Sequence, residues 1–392
     1  MSHAEQGTSA RRLGATYAPE EARYVSCDVL VVGAGPAGIM AAREAALAGA
    51  SVILLETAAL PRHKSCGGML NEYARRTLGR IAALPRDVIC DPEWVHFRYY
   101  DWDRRIKKLC SLRFCNVDRQ RFDAWLLGLL PSSVTVWERA RYKGQAEAVA
   151  PAPGGGLDVS VLRHSDPYVV RCAWLIGADG AHSSVRRAHP AWPQTACYET
   201  LQEFVRITPG TIEPVFDCIY SRHIAPAYGY GYVVPKGDQA IIGSVFYPGT
   251  RGVTPMHEAA IRTFRERLPL GDAVRREGGL AIQVRSARDV IAGSGSTLMA
   301  GEAAGIMSPS SGEGISFALN SGILAGRAVA AALAEPRGDR SDAVAAYDAA
   351  LAPIRRNIAF RLKFFPIMNS SWGKWVGGCV PTPIISKITE HL

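Results

Sequence analysis

Residues 27–56 constrain the fold more than any other stretch of the chain. CDVLVV (27–32) is an uninterrupted apolar run of strand length and GAGPAG follows it from Gly33 to Gly38. The alanine-rich stretch IMAAREAALAG continues at helical spacing, and a second apolar run, SVILLE, ends at Glu56. Strand, glycine turn, helix and strand in this order make the start of a βαβ unit. Gly33 permits the tight turn, Gly35 lets a pyrophosphate approach the backbone, and Gly38 lets the helix close on the strand. The helix opens at Pro36 and Ala37, so its free N–H groups face the phosphates. Glu56, 23 residues after Gly33, stands where a ribose hydroxyl needs a carboxylate. The pattern predicts dinucleotide binding; the alternative is a structural glycine-rich turn.

Beyond Glu56 the simple alternation breaks down. WVHFRYYDWDRRIKKLCSLRF has the patterning of a hairpin, DRQRFDAWLLGLL returns to helical spacing, and SVTVWE is a strand. PAPGGG (151–156) is a turn between AEAVA and LDVSVL, and residues 199–246 hold several β-rich runs. With 392 residues, 48% hydrophobic and 21% charged, the chain can bury a large core and carry a second domain inserted into the first. The expected organisation is a polar, loose leader over 1–24 and a dinucleotide-binding domain in three pieces, 25–90, 113–190 and 284–340. The insertion, a hairpin at 91–112 and a mainly antiparallel sheet over 191–283, would carry the substrate, and 341–392 would form a helical C-terminal segment.

Charge and cysteine content narrow the classes. The formal charge of +9 comes from scattered arginines without a basic helix or an RNA-type aromatic motif, so no nucleic-acid partner is expected. Nine cysteines at irregular spacings suit reduced thiols in a cytoplasm, and neither a metal site nor a disulfide framework is expected. The first residues are polar and lack a secretion signal, and no run of about 18 apolar residues marks a spanning helix. The apolar, aromatic tail KFFPIMNSSWGKWVGGCVPTPIISKI is a candidate for peripheral membrane contact; the alternative is a segment packed over the core.

Four further segments carry chemistry: PRHKSCGGML (61–70), VDRQRFDAWL (117–126), LIGADGAHSSVRR (175–187) and LMAGEAAGIMSPSSGEGISFAL (298–319). In their order, and together with GAGPAG, they resemble the FAD-dependent glutathione-reductase-like aromatic hydroxylases, and within that superfamily most closely the geranylgeranyl reductases. The resemblance runs from Cys27 to about residue 335. It implies an α/β protein with a Rossmann-like FAD-binding domain. Lys64, Cys66 and Gly67 match the family's Lys-x-Cys-Gly segment beside the flavin, and Arg119 matches an arginine on the flavin side chain. Asp179 in GADG reads as a support of the FAD site; the alternative is a plain turn aspartate. Glu302 replaces the aspartate of the family's Gly-Asp-Ala-Ala-Gly motif, which contacts a ribityl hydroxyl. Gly314 and Ile315 open a helix whose N–H groups face flavin O2 and N1. YGYVVP (230–235) corresponds to the family's substrate motif Tyr-x-Trp-x-Phe-Pro, with Tyr232 standing for the Trp and Val234 for the Phe.

The candidate catalytic residues are Cys66, Tyr230 and Tyr232, against a packed thiol and two ordinary strand aromatics. Lys64 reads as a solvated or phosphate-pairing lysine and His182 as a surface-turn residue. Arg43 reads as either a pyrophosphate contact or a surface charge, and Ser310, Ser311 and Glu313 as a capped helix start. The leading expectation is reduction of a C=C bond in a prenyl lipid or specialised-metabolite biosynthesis. Hydride leaves reduced flavin N5, and a pocket tyrosine or water supplies the proton. NADPH, NADH or a ferredoxin visits transiently as electron donor. The rivals are an FAD-dependent monooxygenase and a non-catalytic flavin electron relay.

Overall fold

The computed structural model describes residues 22–145, 156–221, 228–335, 339–363, 370, 373, 376 and 379–384. Most of the expected leader, the 151–155 part of the PAPGGG turn, its flanking AEAVA run and most of the aromatic tail lie outside the described residues. In chain order the first elements are β1 (Arg23–Val32), α1 (Pro36–Leu47), β2 (Val52–Leu55), β3 (Met69–Leu70), α2 (Glu72–Gly79), β4 (Ile89–Asp101), β5 (Ile106–Val117) and α3 (Arg119–Leu127). There follow β6 (Val134–Trp137), β7 (Ala140–Gln145), β8 (Leu157–Arg163), β9 (Asp166–Gly177), α4 (Ser184–Ala188), β10 (Cys197–Arg206), β11 (Val215–Tyr220), β12 (Tyr228–Lys236) and β13 (Gln239–Phe246). The chain continues through α5 (Val253–Arg265), β14 (Ala273–Ile282), β15 (Gly293–Ser294), β16 (Thr297–Met299), α6 (Ile315–Ala334), α7 (Arg340–Ala350) and α8 (Ala352–Leu362).

Two sheets organise these elements. The first has the order β15-β16-β9-β1-β2-β6, with β7 and β8 attached beside β9. Its central pairs, β16·β9, β9·β1, β1·β2 and β2·β6, are all parallel. Val29, Leu30, Val31 and Val32 are buried, as a strand covered on both faces requires, which is why they read as an unbroken apolar run. β1 starts at Arg23, inside the stretch read as leader, because Arg23 and Tyr24 pair with Tyr168 and Val169 on β9.

The second sheet has the order β14-β10-β13-β12-β11-β4-β5-β3, antiparallel except for β11 beside β4. The hairpin expected over 91–112 is longer, β4 with β5, and it carries Met69 and Leu70 into the same sheet through β3. Strand alternation divides this sheet's faces. Val233, Ile242 and Phe246 pack with Ala260 and Phe264 of α5. On the other face Tyr232 and Val234 join Val95, Phe204, Ile241 and Val245, with Met69 and Tyr230 against them.

α6 lies on α1 at close range. A Cβ on Gly322 would overlap the Ala37 carbonyl, and one on Gly326 would overlap the Ala41 carbonyl, so two glycines a turn apart let the helices touch backbone to backbone. By length and composition α6 could cross a membrane, which corrects the expectation that no segment is long and apolar enough. Its apolarity serves this helix packing: Leu319, Ala325 and Val329 are fully buried. The helical C-terminal segment is present as α7 and α8, and Tyr347 of α7 is buried with its hydroxyl donating to the Met299 carbonyl at 2.8 Å.

Candidate functional site

The turn after β1 has the shape the glycines demand. Gly33 sits at φ +103°, and a Cβ there would come within 2.5 Å of the Ala178 carbonyl oxygen at the end of β9. A Cβ on Gly38 would overlap the Gly33 carbonyl. Beside Gly35 there is room instead, and the nearest atom a Cβ would meet is an Arg62 guanidinium nitrogen at 3.8 Å. Pro36 and Ala37 begin α1, whose N-cap, Gly35, supplies no side-chain bond to the helix's free N–H groups. A closed turn, an open flank at its middle glycine and a nearby cation are what a dinucleotide pyrophosphate fits.

Glu56 is buried at the end of β2. Its carboxylate accepts from the Ala34 N–H at 3.3 Å, the Ala58 N–H at 3.0 Å and Arg62 Nε at 2.9 Å. Burial works against its charge, but Arg62 and the Ala58 N–H hold the carboxyl below the usual range. Arg62 also lies 3.6 Å from Asp123, which Arg119 grips at 3.0 Å from the same helix. Arg119 in turn reaches the Cys66 sulfur. Glu56, Arg62, Asp123 and Arg119 thus form a chain of alternating charge from the glycine turn to Cys66.

Cys66 and Gly67 lie on the loop before β3. The Gly68 N–H donates to Cys66 Sγ at 3.4 Å, and Ser65 Oγ sits 3.4 Å from Thr200 Oγ1 on β10, so the loop rests on the second sheet. A narrow cavity opens here, lined by Lys64, Cys66, Arg119, Phe204, Lys236 and Glu277 among others. Phe204 belongs to the face that carries Tyr232. The Tyr232 hydroxyl donates to Gln202 Oε1 at 2.8 Å, and Gln202 Nε2 donates to Glu277 Oε2 at 2.8 Å. Tyr230 projects from the same strand two residues earlier, and its hydroxyl lies 3.6 Å from where a Cβ on Gly312 would stand. That places it against the loop leading into α6.

The remaining candidates frame this space. Gly314 is the N-cap of α6 and Ile315 its first helical residue; the Ser316 N–H donates to Glu313 at 2.9 Å. Glu302 follows β16 and accepts the Ile282 N–H at 2.9 Å, so its extra methylene carries the carboxylate across to the end of β14. Burial pushes its carboxyl up, more than Lys64, the Ile282 N–H and Arg119 draw it down. Asp179 accepts from Ser183 Oγ at 2.5 Å and from the Ser184 N–H at 2.6 Å. Its carboxylate therefore caps α4, and its contact with the glycine turn is through backbone, where its Cα lies against Gly33.

Three other sequence candidates stand apart. His182 is exposed, Arg43 donates to Glu44 at 2.7 Å, and Ser311 hydrogen-bonds within its own loop to Ser308. Sequence reasoning missed Arg62, Asp123, Gln202, Glu277 and Lys236. Arg62 lies within PRHKSCGGML and Lys236 directly follows YGYVVP, but no spacing rule marks either.

A family model described as lycopene cyclase protein matches residues 28–370. The curated protein CbrA of Escherichia coli O9:H4 (strain HS) is 30% identical over 311 residues, 75% of this chain and 79% of that one. A geranylgeranyl bacteriochlorophyll reductase-like protein from Thermoplasma acidophilum superposes with a TM-score of 0.72 at 20% identity, over 94% of this chain and all of that one. The myxobacterial chondrochloren halogenase, an FAD-dependent halogenase, follows at 0.67 and 19%, over 89% and 85%. At such identities the two solved structures speak for the fold.

Proposed function

This chain belongs to the lycopene cyclase protein family, and we propose that it is an FAD-dependent oxidoreductase that reduces a carbon–carbon double bond. One observation carries the reading. Cys66 and the sheet face bearing Tyr232 border one narrow cavity, and a chain of alternating charge links that cavity to the dinucleotide turn.

When bound and reduced by its electron donor, the flavin would supply the hydride for one alkene carbon. The chain's residues do the rest. The turn from Gly33 to Gly38 takes the pyrophosphate, with Arg62 as the nearest cation. The α6 N-terminus at Gly314 and Ile315 would offer its free N–H groups to the cofactor. Val234, Phe204 and Ile241 keep water from the substrate face. Tyr232 commits its proton to Gln202, so in this arrangement it orients the substrate and leaves proton delivery to water or another donor.

The substrate we propose is bulkier or more oxygenated than a bare polyprenyl chain, because Tyr232 and Val234 replace a Trp and a Phe of the resembling motif. The electron donor is a visiting nicotinamide dinucleotide or a ferredoxin-type protein, and the setting is the cytoplasm, with the aromatic tail as a peripheral membrane contact.

The test is anaerobic. Purified protein loaded with FAD is reduced by dithionite, then offered prenylated and aromatic alkenes. Reoxidation of the flavin with release of a saturated product supports the reading. Reoxidation by oxygen alone, with a hydroxylated product, replaces it with a monooxygenase.

A further inference from the structure

Lys236 ends β12, one residue beyond the YGYVVP segment, and its ammonium turns into the cavity that Cys66 lines. It donates to the Gly68 carbonyl at 3.1 Å, to the Val117 carbonyl at 2.9 Å and to Asn116 Oδ1. The Asn116 amide has one available orientation, because its Nδ2 donates to the Pro92 and Pro235 carbonyls at 3.0 and 2.8 Å. All three N–H bonds of the ammonium are therefore used, and none of the three acceptors carries a charge. Burial pushes this lysine's pKa down, the cost of a cation held by neutral oxygens.

The grip passes directly to Cys66. Gly68, whose carbonyl Lys236 holds, donates its own N–H to Cys66 Sγ at 3.4 Å. Gly68 has φ +65°, and a Cβ there would sit 2.9 Å from Lys236 Nζ, so glycine is what allows the lysine to approach. Arg119, which lines the same cavity, has its charge answered by Asp123, and Asp118 is the cavity carboxylate whose field reaches Lys236 without bonding it. Lys236 is thus a cation at this cavity whose direct partners are all neutral.

We propose that Lys236 is the positioning residue for Cys66, fixing the thiol through Gly68 and setting its reactivity in the cavity with a cation whose bonded partners are all neutral. This rests on the reading of Cys66 as part of the reaction cavity, and its test needs no substrate.

The experiment measures iodoacetamide alkylation of the FAD-loaded protein, quantified at the Cys66 peptide across pH 6 to 9, with exposed Cys379 as internal reference. Lys236→Met is expected to slow alkylation of Cys66 about fivefold or more at neutral pH and to shift its pH profile, with Cys379 unchanged. Lys236→Gln, which keeps two donors but no charge, is expected to fall near Lys236→Met. Wild-type rate and profile at Cys66 in Lys236→Met overturn the proposal, and so does a Lys236→Gln variant that behaves as wild type. Failure of both variants to fold also overturns it, because the lysine would then be holding the sheet rather than the thiol. A change at Cys66 alongside a failed alkene assay would leave this inference standing and remove only the reductase reading.

Discussion

The hydroxyl of Tyr232 donates to Oε1 of Gln202 at 2.8 Å, and the polarity of that bond is fixed from further along. Glu277 accepts from Gln202 Nε2 at 2.8 Å, and an ionised carboxylate can only accept, so the amide must turn its oxygen toward the tyrosine. The hydroxyl that replaces the motif's indole therefore has its partner inside the protein. Tyr232→Phe keeps the ring and leaves a fully buried amide oxygen without a donor. It should cost about 1–3 kcal/mol, seen as a lower melting temperature with FAD content unchanged. A melting temperature equal to wild type would show that Gln202 finds another donor at no cost.

Arg62 joins two parts of the dinucleotide site, bonding Glu56 and standing beside Gly35. Arg62→Ala removes the cation nearest the expected pyrophosphate and the main partner that keeps Glu56 ionised. FAD binding should weaken by about 1.5–3 kcal/mol, measured by fluorescence titration of the cofactor-stripped protein. Unchanged affinity would assign Arg62 to the fold alone.

The contact between α1 and α6 leaves no space for a side chain at Gly322. Gly322→Val would press on the Ala37 carbonyl in the first turn of α1, one residue after Pro36. The expected result is a loss of about 1–3 kcal/mol from overpacking together with reduced FAD retention, because the displaced turn is the one that faces the phosphates. Denaturant unfolding and absorbance of the purified protein read both. Lower stability with full FAD occupancy would show that α6 moves and α1 does not.

His257 lies on the buried face of α5, where Ser244 Oγ lies 2.7 Å from its Nδ1. Glu203 stands 4.0 Å from its Nε2, and Arg276 binds that same carboxylate. Glu258 adds a further, more distant negative charge. Burial pushes the imidazole down to about 4, with Arg276 in the same direction and the two carboxylates opposing. The unfolded chain then binds a proton near pH 6.5 that the folded protein refuses until about pH 4. Its contribution is complete above pH 6.5 and is lost as pH falls toward 4, by about 2–3 kcal/mol. Urea unfolding between pH 7 and 4.5 should show this slope, and His257→Gln should flatten it. An equal slope in both proteins would place the acid sensitivity elsewhere.

The βαβ start was legible in the sequence because its determinants are local. An apolar run, a glycine turn and an alanine-rich helix act within about thirty residues, and the steric freedom of Gly33 does not depend on what packs later. The same holds for the β4–β5 hairpin and for the presence of α6. Strand limits were less legible, since a ladder extends as far as its partner does, and Tyr168 on β9 drew β1 back to Arg23.

The working surface of the site was decided by tertiary structure. Lys236 bonds a carbonyl 168 residues away, Tyr232 an amide 30 residues away, and Glu302 an N–H 20 residues away across two sheets. Such partners leave no period or spacing in the chain. Burial then sets what each group does: it turns Glu302 and Lys236 against their own charges and spends the Asp179 carboxylate on a helix cap. The sequence named the segments that meet at the cavity. Which atoms face one another there follows from how the two sheets pack, because the cost of burying a polar group is settled by its neighbours in space.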